Sequence, residues 1–226
     1  MSFAREFQRL LILFLIGLLL ILAAAVYWGV ALSSGLSRRD DNPRVFEARA
    51  AIIRGAIYDS AGRLLAESAP VREGSPRQTR RYLQPTTYSV LGYHSLQFGV
   101  GGIESAYDAL LGSTLQADDL SAYVQHEILR QPYVGDDIQL TLDLDVQQRL
   151  ADLLNGYRGA AVVLDAATGD VIAAVSLPTI DPNQLDTLWN ALISDPRDPL
   201  YNRAFQAGYQ PGGALQAGGE SKDESR

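Results

Sequence analysis

The chain has 226 residues and a formal net charge of −7, so it lacks the basic excess with which sequence-independent nucleic-acid binders cover phosphates. It contains no Cys, which excludes disulfides, a thiol nucleophile and Cys-ligated zinc. Of its 19 basic residues only Lys222 is a lysine, so any signature that needs a lysine must use position 222.

Residues 1–9 form a short N-terminal tail. From Leu10 to Val30 runs LLILFLIGLLLILAAAVYWGV, 21 residues without a charge or a proline. At about 1.5 Å per residue it reaches about 30 Å, the depth of a bilayer's hydrocarbon core. Tyr27 and Trp28 stand where an interfacial aromatic belt would lie. A signal peptide's apolar region is only about 7–15 residues long, so residues 10–32 are expected to be a retained transmembrane anchor. Arg5 and Arg9 flank one end and Arg38 and Arg39 the other, which leaves the positive-inside rule without a preference for either orientation.

Residues 33–50 are polar and carry mixed charge, as a membrane-proximal linker would. Residues 51–58 read as a strand, Asp59-Ser60-Ala61-Gly62 as a turn, and residues 63–66 as the returning strand of a hairpin. The stretch from Arg72 to Arg81, with four Arg among Gly, Ser and Pro, reads as a solvated loop rather than an anion site. Phe98-Gly-Val-Gly-Gly102 has the wrong spacing for a phosphate-binding loop and reads as a tight turn before a short helix over 103–111. His94 and His126 lie far apart, in no metal-ligand spacing. A half-buried strand is expected over 138–142. Asp145 is expected to cap a helix from about Val146, with Gln148 completing a capping box. Caps and solvated faces account for Asp143, Asp145 and Asp152 without a metal; no cofactor or metal is expected.

Residues 160–164 and 170–176 read as paired strands joined by the turn Asp165-Ala-Ala-Thr-Gly169, and Pro178 ends the second, since proline cannot donate to a ladder. Asp181-Pro182-Asn183 opens a helix through Ile193, and Asp195-Pro-Arg-Asp-Pro199 is a further break. Residues 217–226, AGGESKDESR, hold five charges and no large apolar side chain and are expected to be disordered.

The segment Tyr209-Gln-Pro-Gly-Gly-Ala-Leu-Gln216 has the shape of a serine acyl-transferase helix. In an S-x-x-K site the Ser hydroxyl forms the acyl-enzyme, and the Lys one helical turn on helps move the proton. Here Gly213 holds the Ser position and Gln216 the Lys position. Glycine has nothing to acylate, and a Gln amide has no titratable nitrogen. Gly219 precedes Lys222 by three residues and Asp223 follows it, so neither S-x-x-K nor K-T-G occurs in the chain.

Taken in order, these segments resemble a class B penicillin-binding protein, a membrane-anchored D,D-transpeptidase of peptidoglycan synthesis. Arg54-Gly-Ala-Ile-Tyr-Asp59 with Gly62 is similar to the family's first hairpin, and Tyr93 to Gly112 to the end of its pedestal. Residues 138–148 resemble the opening of the transpeptidase domain, and Gly159 to Asn183 its first two strands. Asn202-Arg203-Ala204 and residues 209–216 resemble the approach to the catalytic helix. The resemblance implies an α+β architecture. An N-terminal transmembrane helix is followed by a β-hairpin-containing pedestal over 51–135, with a dimerisation-like role. Residues 136–216 would be the truncated start of a serine β-lactamase-like transpeptidase domain. It also implies a bacterial cytoplasmic-membrane protein with its C-terminal part extracytoplasmic. Its partners would be cell-wall synthesis or division membrane proteins, in a homo- or hetero-oligomer, and not nucleic acid.

Three readings stand at this point. One is a non-catalytic relative, with catalytic residues absent at Gly213 and Gln216. Another is a fragment of an active D,D-transpeptidase whose sequence is frameshifted or truncated after Gly212. The last is an unrelated membrane-anchored interaction domain. Residues 138–216 are expected to be marginally stable, because the strands over 160–176 would expose apolar faces and edges.

Overall fold

In a computed structural model that describes residues 3–27, 43–112 and 131–210, the uncharged N-terminal stretch is helix α1 (Phe3–Tyr27). Phe7–Ala25 has a mean hydropathy of 2.5 and no buried residue, as a lipid-facing span requires. Tyr27 ends the helix; Trp28 lies outside the described residues. The expected linker over 33–50 is in part helical, because α2 (Pro43–Ala50) opens with a proline, which is pre-set for the first helical turn. The chain divides into two units, Met1–Ala50 and Ala51–Arg226.

The second unit begins with the expected hairpin. β1 (Ile57–Tyr58) pairs antiparallel with β2 (Leu64–Pro70). In the turn, Asp59 is fully buried. Its Oδ1 accepts the N–H groups of Ala61 (3.0 Å) and Arg63 (2.7 Å), and its Oδ2 accepts Arg63 Nε (2.6 Å). Gly62 supplies the positive φ, +78°, that this turn needs.

The sheet then extends on both sides. β3 (Gln78–Tyr82) pairs with β2, and β6 (Ile138–Gln139) pairs parallel with β1, giving the order β3-β2-β1-β6. The Arg-rich stretch over 72–81 therefore differs from its expected form. Its second half is a strand, and Arg80 faces the interior, because strand alternation places it on the same side as buried Tyr82.

Between β3 and β6 run helix α3 (Tyr88–Leu91) and a hairpin of β4 (Tyr93–Ser95) with β5 (Gly99–Gly101). The expected glycine-rich turn is thus itself a strand. The helix expected over 103–111 is two turns, α4 (Ile103–Ala106) and α5 (Asp108–Leu111). The Glu104 carbonyl, which a continuous helix would give to residue 108, accepts instead from Arg54 Nη2 at 3.3 Å.

Helix α6 (Leu144–Leu153) starts earlier than expected, and its cap is Asp143, not Asp145. Asp143 Oδ1 accepts from Asp145 N (2.9 Å) and Val146 N (3.3 Å). The Asp143 N–H donates to Ile172 O (2.8 Å), which holds residue 143 extended and sets the first helical residue at 144. Gln148 reaches Gln84 Oε1 (3.1 Å) and does not close a capping box.

β7 (Gly159–Leu164) and β8 (Val171–Leu177) form the expected hairpin. β8 is buried over Ala173–Leu177, whereas Val162 and Leu164 on β7 are exposed. After a 3-10 turn at Pro182–Gln184, helix α7 runs over Leu185–Ser194 and stops before the Asp195-Pro break.

Two apolar clusters hold the unit. Ile57, Leu65, Leu91, Leu111, Leu142 and Leu144 form the larger. Tyr88, Ile180 and Leu185 form the smaller, against which Trp189 packs, its ring stacked on Phe98 at 4.2 Å.

Residues 53–57 and 134–138 run side by side through hydrogen bonds from Gly135 N to Ile53 O (2.8 Å) and from Ile138 N to Ala56 O (2.9 Å). They lie so close that a Cβ on Gly135 would meet Leu111 O at 1.7 Å, and one on Gly55 would meet Asp136 O at 1.8 Å. Neither obstacle is a side chain that could turn away. Gly135→Ala should therefore lower stability by roughly 2–4 kcal/mol through overpacking and backbone displacement. Gly159→Ala, whose Cβ would meet nothing within 4 Å, should stay within about 1 kcal/mol of the parent. Urea unfolding of the two variants side by side checks this.

Candidate functional site

The segment leading to position 211 is held against β8 and α3 by polar contacts. Ser176 Oγ, on β8, accepts the Arg203 N–H at 2.9 Å. Asn202 Nδ2 donates to Ser89 O at 2.6 Å. The buried Arg203 guanidinium folds back on its own loop, donating to the carbonyls of Arg197 (2.7 Å), Asp198 (3.0 Å) and Tyr201 (3.2 Å). Residues 202–204 are thereby fixed, among the described residues, by hydrogen bonds and not by an ion pair. Beside them lies a cleft of about 430 Å³, between the β4–β5 hairpin and the loop carrying Leu200 and Phe205.

Two side-chain amides join the parts of this unit. Gln147 is fully buried on α6. Its Oε1 accepts Ala174 N and its Nε2 donates to Ala174 O, both at 2.8 Å, and Nε2 also reaches Thr86 O at 2.8 Å. The amide thus stands in for a neighbouring strand on the edge of β8. Asn183 does the same for β3, taking Tyr82 N and Tyr82 O at 2.9 Å each.

Below the approach lies a buried ionic cluster. Glu104 is fully buried. Its Oε1 accepts Arg80 Nε (2.5 Å) and Tyr82 OH (3.3 Å); its Oε2 accepts Arg54 Nε (3.1 Å) and Nη2 (2.9 Å). Arg54 Nη1 continues to Asp108 at 2.7 Å, and Arg80 Nη1 to Gly55 O at 2.8 Å. Two guanidinium groups thus meet two carboxylates. Burial and the Glu104 charge push the Tyr82 hydroxyl well above the usual phenol range. Removing one partner of a pair this buried costs about 3–5 kcal/mol, whereas an exposed pair such as Arg158–Asp198 contributes about 0–1 kcal/mol.

Positions 213 and 216 lie outside the described residues, as does His126. Asp143 and Asp145 converge with Asp59 on Arg63, at 3.5, 2.8 and 2.6 Å; Asp152 is not part of this group. His94 lies against the ionic cluster. Sequence reasoning passed over Glu104, Arg80, Gln147 and Asn183 as functional side chains. Glu104 had one available signal: it directly follows the GVGGI turn and stands four residues before a second carboxylate, Asp108.

Two family models match the chain. The penicillin binding protein A dimerisation domain covers residues 54–130, and the penicillin binding protein transpeptidase domain covers residues 159–214. The peptidoglycan D,D-transpeptidase PbpA of Mycolicibacterium smegmatis is 33% identical over 234 residues, taking in 93% of this chain and 47% of that protein. The peptidoglycan D,D-transpeptidase MrdA of Escherichia coli is 39% identical over 125 residues, 51% of this chain and 20% of that protein. Penicillin-binding protein A from M. tuberculosis, solved as its imipenem acyl-enzyme complex, superposes with a TM-score of 0.64 at 28% identity. That match covers 78% of this chain and 45% of the solved one. The chain spans about half the length of the PbpA relative it matches.

His94 gives the cluster a pH response. Burial first, then the Arg54 and Arg80 charges, lower its pKa from 6.5 to about 4, against the opposing pull of Glu104 and Asp108. The folded state thus holds His94 neutral where the unfolded chain already binds a proton. Above pH 6.5 the group adds no pH dependence; between 6.5 and about 4 stability falls with pH. Urea midpoints measured across this window should drop more steeply for the parent chain than for His94→Gln, which has no proton to gain.

Proposed function

Because the chain belongs to the class B penicillin-binding proteins, we propose that it serves peptidoglycan synthesis as a membrane-anchored member that forms no acyl-enzyme itself. The relatives PbpA and MrdA are named peptidoglycan D,D-transpeptidases, and the M. tuberculosis protein carries imipenem as an acyl-enzyme. The observation that carries the proposal is the residue at position 213. It lies within the stretch matched to the transpeptidase domain, and it is glycine, with glutamine at 216. A serine mechanism needs an oxygen to attack the carbonyl and a basic nitrogen to take its proton. Neither is present at these positions.

On this reading α1 fixes the chain in the bacterial cytoplasmic membrane with residues 33–226 on the extracytoplasmic side. Residues 51–135 act as the pedestal and residues 136–216 as a transpeptidase-like lobe. The lobe occupies a place beside cell-wall synthesis or division membrane proteins without carrying out chemistry. The match to a dimerisation domain supports a homo- or hetero-oligomer.

Labelling of membranes with a fluorescent penicillin tests the absence of acylation. The expected result is no covalent band that survives boiling in detergent, and such a band at the chain's mass would overturn the proposal. Orientation is read separately, from reporter fusions at the C-terminus. A reporter active only outside the cytoplasm is expected, and cytoplasmic activity would reverse the assignment.

A further inference from the structure

β3 is the outer strand of the four-stranded sheet, and among the described residues one of its long edges has no strand beside it. Hydrogen bonds at its two ends show which residues face that edge. The Leu83 N–H donates to Leu65 O at 2.9 Å, and Arg77 O accepts from Val71 N at 3.0 Å, so residues 77 and 83 turn towards β2. By the alternation of an antiparallel ladder, Gln78, Arg80 and Tyr82 turn their main-chain groups outward. At Tyr82 both groups are taken by Asn183, which imitates a strand. Among the described residues, the outward N–H and C=O of Gln78 and Arg80 have no partner. A groove of about 660 Å³ runs along this edge from Thr79 to Pro85, with Asn183 among its walls.

We propose that this edge receives an extended, acidic segment of a partner protein as an added strand. Asn183 already shows that the edge accepts a donor and an acceptor together. It also closes the far end at Tyr82, so an added strand hydrogen-bonds to Gln78 and Arg80 and ends beside Arg81. The charge preference comes from Arg81, which projects from the exposed face beside Thr79 and is 65% accessible. Its nearest carboxylate, Glu67 on β2, stands off at 3.7 Å. A carboxylate on an added strand would flank Arg81 from the open side, and such cross-strand pairs are favourable. A second copy of this chain would instead bring an identical basic strand against the first. The proposal concerns binding by the sheet edge, and acylation at position 213 has no bearing on it.

The test uses the full chain in detergent micelles and three fluorescein-labelled peptides. The first is Thr-Glu-Val-Glu-Val-Thr, the second replaces Glu by Lys, and the third is the first with alternate main-chain nitrogens methylated. Fluorescence anisotropy should show saturable binding of the first, at least about tenfold tighter than the other two, a difference of about 1.4 kcal/mol. Arg81→Glu, an exposed change, should reverse the preference to the Lys peptide. Hydrogen exchange at the Gln78 and Arg80 amides should slow when the first peptide is added. Equal binding of the acidic and basic peptides would overturn the proposal. So would tight binding of the methylated peptide, unchanged preference in Arg81→Glu, or no saturable binding at millimolar peptide.

Discussion

The pairing of Glu104 with Arg54 and Arg80 is the constraint around which the second unit is arranged. Arg54 precedes β1, Arg80 lies on β3 and Glu104 on α4, so one carboxylate joins its own helix to two other parts of the chain. Each of these charges taken alone would be costly inside the protein. Together they are permitted because the carboxylate accepts four hydrogen bonds and the guanidinium groups continue to Asp108 and to the Gly55 carbonyl. The geometry fixes the distance between the start of β1 and the helix α4. That distance in turn brings Leu111 and residues 134–136 against Gly55.

Above the ionic cluster, charge gives way to amides. Gln147 and Asn183 use one donor and one acceptor each to complete the exposed edge of a strand, and neither needs a counter-ion. A neutral amide makes these bonds without the desolvation cost of an ion. Through Asn183 the region after β8 is tied to the first sheet. Through Ser176 on β8 and Ser89 on α3 the unit positions the residues that lead towards 213.

Local chemistry was readable where it is self-contained. The anchor announces itself by length and lack of charge; the β1–β2 hairpin by Asp59 and Gly62; the β7–β8 hairpin by its apolar runs and the Asp165–Gly169 turn. What escaped depends on partners far away in the chain. Arg80 looks like its neighbours Arg77 and Arg81 until a strand turns it inward. Nothing local marks Gln147 or Asn183, because an amide carries no sign of the edge it will cover. The cap moved from Asp145 to Asp143 for the same reason, since the bond to Ile172 that sets it comes from β8. For the candidate site the balance is reversed. Gly213 and Gln216 are legible only from the sequence, because what they lack is an atom type and not a position.

The parallel pairing of β1 with β6 carries a consequence for variation. Ile57 and Ile138 are register partners although 81 positions separate them (138 − 57). The chain between them, which includes β2 and β3, is therefore an excursion closed at its neck by this pairing. Lengthening a closed excursion is entropically cheap, about 0.6 kcal/mol for each doubling. Evolution can thus enlarge or trim the outer parts of this lobe while Gly55, Gly135 and the two paired strands keep the neck shut.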